Sequence, residues 1–334
     1  MDFTKLLSRS FEITRKFRAL WLFGFLLALF SGSGGGGGGD GAGTRDGDAF
    51  PNIGGIDESV MLAIGIGVFC FALVLIILAV VLTTISRGAL IGLVAEYEAK
   101  QMPPTVRRGF SIGAQRFWKM FGISIVVYAP LTLVGGIVLI VAALPLVGVL
   151  MPLISRGGRI FEEMIPQLFA LGLGSLALLI CVGLALVLVF FVLRPFYEMM
   201  LRECVIHQRG VRDSIREGFS LGRRNLGDLL LLYVLSIAIG IGAGIVLGVV
   251  GLILLAIPVA IGLAMGLVDA TLGVIAGIVI GLPAVALIIF LHGLYQAFDH
   301  TLWTEGYLAI QAKASPAAVI AIRNTEDTEK NKKR

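Results

Sequence analysis

The chain has 334 residues, 57% of them hydrophobic and only 15% charged, with 44 glycines and a net charge of +5. A soluble domain carries about 25% charged residues, so a water-soluble globular protein is excluded and lipid is the solvent for most of this chain. The basic balance is no sign of nucleic acid, because a membrane protein needs Lys and Arg on its cytoplasmic loops for orientation alone.

A membrane-crossing helix needs about 20 mostly apolar residues. The first apolar run, residues 17–31 in "RALWLFGFLLALF", is short and counts as a span only by extending into its flanks. Read as a secretory signal it has a basic start and a small-residue "SGSG" after it. The long amphipathic basic part, which returns later in the chain, favours a retained span. The tract "SGSGGGGGGDGAGTRDGDAFPN" follows, in a first outer loop over 31–59. It lacks the preceding strand and the GK[ST] ending of a phosphate-cradling loop and reads as a solvated linker.

Five further runs are amply long: 60–85, 121–154, 168–193, 229–268 and 270–291. The third and fifth of the six runs exceed one crossing and carry Pro145, Pro152 and Pro258 late, which predicts a span followed by a bent or half-inserted segment. The basic residues test a six-span model: 24 of the 27 Lys and Arg fall at the termini and in the two even-numbered connections, and 3 in the other three loops. That split places both termini in the cytoplasm and the protein in a bacterial cytoplasmic membrane.

The chain writes one phrase twice: "RRGFSIGAQRFWKMF" from Arg107 and "REGFSLGRRNLGDLL" from Arg216. Upstream of each, Arg87 with Glu96 and Arg194 with Glu203 keep the same spacing, at an offset of 107. The N-terminal "SFEITRKFRALWLF" supplies a third copy, with Phe11 beneath Phe110 and Phe219. An internal duplication follows. The expected fold is all-α, a polytopic membrane protein with six transmembrane helices in three parallel tandem helix-pair repeats. An amphipathic interfacial helix precedes each pair, and the units span 1–101, 102–209 and 210–312, with a charged tail over 313–334.

On these helices the apolar stripes are Val106, Phe110, Ala114, Phe117 and Phe121 in one copy, and Val211, Ile215, Phe219, Gly222, Leu226 and Leu229 in the other. Arg107, Arg108, Arg116 and Lys119, and Arg212, Arg216, Arg223 and Arg224, lie mainly off them and are the candidate contacts for anionic lipid headgroups. Gly109, Gly113, Gly218 and Gly222 cost helix propensity, which implies a neighbouring backbone passing close or a bend. Gly240, Gly244 and Gly248, then Gly273, Gly277 and Gly281, recur at four-residue spacing as candidate helix-packing faces, within the chain or in a homo-oligomer. Arg87, Glu96, Arg194 and Glu203 are candidate clamps between repeats.

Chemistry is sparse. No Asp, Glu, Lys or Arg interrupts the apolar runs, which counts against an ion-coupled transporter. The three histidines are isolated, and Cys70, Cys181 and Cys204 read as unpaired thiols with no metal-ligand spacing. GFSxG spells a nucleophile elbow but stands on an interfacial helix, not on a strand-turn-helix. No cofactor, metal or catalytic residue is expected.

With "SFEITRKFRALWLFGF", the two GFSxG helices and "LYQAFDHTLWTEGYLAI", the chain resembles a loose group of uncharacterised prokaryotic multi-pass proteins, some labelled after the membrane domain of glycerophosphodiester phosphodiesterases. The catalytic barrel of such enzymes needs about 250 residues of its own, so the resemblance implies a membrane module without hydrolysis. The expected function is a non-enzymatic, lipid-interacting or scaffold-like membrane component. The alternative is a transporter or channel for an apolar or amphipathic solute, with Tyr128, Thr132, Ser175, Tyr233, Ser236 and Thr271 as the scattered polar residues of its spans.

Overall fold

A computed structural model describes residues 2–30, 58–155, 165–267 and 269–314, and within them the chain is all helical. Eight helices follow in order: α1 (Phe3–Lys16), α2 (Arg18–Phe30), α3 (Glu58–Lys100), α4 (Val106–Ser155), α5 (Ile165–Ile206), α6 (Val211–Arg224), α7 (Leu226–Gly266) and α8 (Ala270–Ala314). The glycine tract and the charged tail lie outside the described residues.

Five helices, α3, α4, α5, α7 and α8, are long and apolar enough to cross a membrane. The sixth expected span corresponds to α2, whose 13 residues reach about 20 Å at ~1.5 Å per residue, short of a ~30 Å hydrocarbon core. The long helices overrun that thickness instead: α8 has 45 residues, about 67 Å by the same rise, so its turns beyond the apolar run 270–291 extend past the core.

Local chemistry sets the helix ends. Asp2 caps α1, its carboxylate accepting from Lys5 N at 3.3 Å. Asp269 caps α8, accepting from Thr271 N at 2.7 Å and Leu272 N at 3.2 Å, which holds its carboxyl below the usual range. Gln101 and Gln208 take left-handed backbone, at φ 54° and 59°, just past the ends of α3 and α5. The two glutamines sit 107 positions apart, the same offset as the sequence repeat.

Two expectations change. The basic segment at 104–121 is not a separate helix: α4 runs unbroken from Val106 to Ser155, because nothing between Phe117 and Ile125 interrupts the ladder. A break does occur at Phe17, between α1 and α2, and at Asn225, between α6 and α7. The Asn225 amide donates to Leu221 O at 3.2 Å, the kind of local bond with which Asn competes with helix continuation. The late prolines leave the helices whole as well, since α7 passes through Pro258. Glycines of α8 make room there: a Cβ on Gly281 would sit 3.8 Å from the Pro258 Cβ.

The chain divides into two compact units, residues 1–117 with 231–334, and residues 118–230. In the first, α2 packs on α8 and α3, and α1 on α8. Its core joins Ile13, Leu20, Phe23, Leu27, Leu90, Leu93 and Ala297. In the second, α6 packs on α5. Burial runs opposite to a water-soluble protein. Mid-span side chains such as Val68 and Phe69 are 63% and 68% exposed, whereas Arg202, Thr301 and Thr304 are fully buried. Apolar atoms facing outward are stable only where the surroundings are apolar too.

Candidate functional site

The repeated phrase is a packing device first. Along α6, Ser214, Gly218 and Gly222 are buried. A Cβ on Gly218 would lie 2.7 Å from the Met200 Cα of α5, so the two backbones touch and any side chain would part them. In α4 the matching Gly109 meets Phe23 and Leu93, and Gly113 meets the Ile85 carbonyl of α3. Leu93 and Met200 are again 107 apart. In α1, Ser10 and Thr14, which the Phe11 alignment sets beneath these glycines, are buried in turn. The glycines answer to close backbone approach, and the buried face shares Gly222 and Leu229 with the stripe read from sequence while Ser214, Gly218, Gly109 and Gly113 stand one position to its side. Phe219 is 46% exposed and Phe11 60%.

This leaves the cations outside. On α6, Arg212, Arg216 and Arg223 are exposed with Phe219, and at 100° per residue the four fall within about 60° of one another. Arg224 is exposed on another side, and on α4 Arg107 and Arg108 are exposed while Arg116 and Lys119 are half-buried. Lys119 donates to Gln208 O at 3.1 Å. Trp118 beside it is 75% exposed.

The four clamp candidates find partners closer to home or stand apart. Glu96 holds Arg108 through a two-bond fork, 2.7 and 3.1 Å, joining α3 to α4 and keeping the carboxylate largely covered. Glu203 lies 3.7 Å from Arg209, which also reaches Glu217 at 3.9 Å, so in this copy a third residue bridges α5 to α6. His207 approaches Glu203 at 3.8 Å. Arg87 is half-buried with its Nε enclosed and without a hydrogen bond, and Arg194 is exposed on α5.

The glycine ladders divide. Gly273 packs directly on Gly262 and Gly266 of α7, with a Cβ there 2.6 Å from Gly266 Cα, and Gly277 faces Gly262. On α7, Gly240 lies under the Tyr295 hydroxyl, while Gly244 and Gly248 meet nothing within 4 Å among the described residues. The α7 glycines that pack, Gly262 and Gly266, were not singled out in the sequence reading, although they extend the same four-residue spacing past Pro258.

Three polar groupings went unforeseen. Ser236 of α7 donates to Asp299 of α8 at 2.6 Å and accepts from the Trp303 indole at 3.0 Å, all three buried. Arg202, fully buried, holds Glu198 at 2.5 Å one turn away on α5. Arg9 of α1 forks onto Glu98 of α3 at 3.0 and 3.2 Å, which holds the guanidinium charged more firmly still. The signal was present in spacing: "FDHTLW" and "EMMLREC" place charge on helices that must bury one side. Tyr128 stacks on Phe190 and its neighbour Tyr197 bonds Ser124 at 2.7 Å, while Thr132 and Ser175 bond carbonyls of their own helices. Thr271 sits in the α8 cap. Among the described residues these contacts are local pairings. No group of three His, Cys, Asp or Glu able to hold a metal occurs among the described residues.

Fold and charge together define a multi-pass helical membrane protein in which several ion pairs join helix ends. The chain belongs to a family of unknown function, DUF7544, matched over residues 4–301. No curated protein and no solved structure matches it. The family description makes no mention of a phosphodiesterase membrane domain.

Proposed function

We propose that the protein is a non-enzymatic component of the bacterial cytoplasmic membrane that gathers anionic lipid at its inner leaflet. The observation that carries this reading is the exposed Arg212, Arg216, Phe219 and Arg223 stripe on a helix whose opposite face is glycine. The glycines bring α6 against α5, so the helix is fixed rather than free to pair its arginines elsewhere. Phe219 then reaches acyl chains while the arginines meet headgroup phosphates, each adding about 1 kcal/mol near a negative leaflet.

The arrangement belongs to a larger scheme, with α2 as a sixth crossing, both termini in the cytoplasm and three parallel units. The shared offset of Gln101 with Gln208 and of the Leu93 with Met200 contacts supports the duplication. Likeness to membrane domains of phosphodiesterases enters as a proposal of common layout alone.

Native mass spectrometry from mild detergent tests the lipid reading. Wild type is expected to retain phosphatidylglycerol over phosphatidylcholine, and the triple variant Arg212→Gln, Arg216→Gln, Arg223→Gln to lose that preference. Equal retention of both lipids by wild type would remove the proposal.

A further inference from the structure

Between α1 and α8 runs an open groove of about 500 Å³, lined by Lys5, Leu6 and Arg9 on one side and Glu305, Ala309 and Lys313 on the other. Glu305 lies fourteen residues past the end of the apolar run at Leu291, about 21 Å along the helix, and so outside the membrane-spanning part. One of its carboxyl oxygens is enclosed and has no hydrogen-bond partner. Arg9, the cation whose charge acts on it, is already forked onto Glu98.

We infer that Glu305 is a proton-operated latch: neutral, it lets α1 lie on α8, and ionised, it is an enclosed charge beside the Glu98 carboxylate that is relieved only when α1 lifts away. The geometry supplies each part. The fork onto Glu98 engages Nε and Nη2 of Arg9, which leaves only the far Nη1 edge of the guanidinium for another carboxylate. Ionised Glu305 therefore meets an enclosed wall on one side and the Glu98 carboxylate on the other. Among the described residues the charges around it can be named. From α1 come Arg9 and Lys5, with Asp2 at the cap; from α3 comes Glu98; on α8 itself there is Lys313. Arg18, the one charged residue of α2, is exposed, and α7 from Leu231 to Gly266 carries none.

Burial first, and then the Glu98 charge, push the Glu305 carboxyl up to about 7 from its ordinary 4.5, against a smaller downward pull from Arg9. The sign follows from which state holds the proton. With α1 docked the acid keeps its proton to higher pH than with α1 free, so rising pH works against docking. Docking is strongest below about 4.5, weakens as pH climbs from there to about 7, and is constant above.

Hydrogen exchange on the full chain in lipid nanodiscs reads this directly, as intrinsic-rate-corrected protection of amides in Phe3–Lys16. Each pKa unit between the two states is worth tenfold, and partial solvent screening reduces the total, so wild-type protection is expected to fall about tenfold from pH 5 to pH 8. Glu305→Gln stays at the protected level throughout. Glu98→Gln, which frees Arg9 to receive the ionised carboxylate, gives a shallower fall than wild type. A flat wild-type profile, a Glu305→Gln profile as steep as wild type, or an undiminished slope in Glu98→Gln would each overturn the latch.

Discussion

At the scale of single residues, glycine carries different weight at different places on the same long helices. A Cβ on Gly293 of α8 would stand 2.6 Å from the Phe25 Cα, and one on Gly218 2.7 Å from the Met200 Cα. Neither neighbour is a movable side chain, so Gly218→Ala and Gly293→Ala are each expected to cost about 1–3 kcal/mol as overpacking. Gly244→Ala meets open space and relieves a helix of its least favourable residue, so it is neutral or stabilising by up to ~1 kcal/mol. Thermal unfolding in detergent, followed by helical circular dichroism, separates the three. Ser236→Ala belongs at the same scale. It removes both the donor to the buried Asp299 carboxyl and the acceptor of the Trp303 indole, and the expected loss is about 1–3 kcal/mol.

Elements show how far the sequence could be read. Helix positions followed from apolar length, and close approach at the GFSxG glycines followed from propensity alone. The amphipathic faces were read one position off at Ile215 and Phe219 but correctly at Phe110, Gly222 and Leu229. Hydrophobic periodicity marks where apolar side chains lie, and here the face against the protein is made of glycine and serine, which periodicity does not count. Partners of individual charges were beyond reach for the same reason. Glu96 sits nine residues from Arg87 in sequence but meets Arg108 across a five-residue turn, and Arg9 meets Glu98 from the far end of the first unit. Such pairs depend on which helix packs against which. Their energies differ by burial. A double-mutant cycle on the partly exposed Arg9 and Glu98 is expected to give about 0.5–1 kcal/mol. Truncating Glu198 to Ala removes the carboxylate paired with the fully buried Arg202 guanidinium and is expected to cost more, about 3–5 kcal/mol. Equal values from the two experiments would contradict the burial ordering.

For the whole molecule the open question of architecture reduces to α2. Leu20, Phe23, Gly24, Leu27 and Ala28 are buried, and Gly24 lies so close to Gly293 that each helix needs the other's missing side chain. A helix held this firmly against α8 and α3, both long enough to cross, runs beside them into the apolar layer. Its own 13 residues fall short of the far side unless the bilayer thins locally, at a modest cost per ångström of mismatch. The count of crossings decides the sidedness of the ends. Five crossings put Ser8 and Ala314 on opposite sides, and six put them on the same side. In a background without cysteine, with Cys70, Cys181 and Cys204 replaced, Ser8→Cys and Ala314→Cys are expected to resist a membrane-impermeant maleimide equally in sealed cells and to label equally once the membrane is opened. Both positions are exposed on the folded protein, so reagent access depends on the bilayer alone. Labelling of Ser8→Cys in sealed cells with protection of Ala314→Cys would establish five crossings and dissolve the threefold scheme, because the first unit would then lack its outward helix.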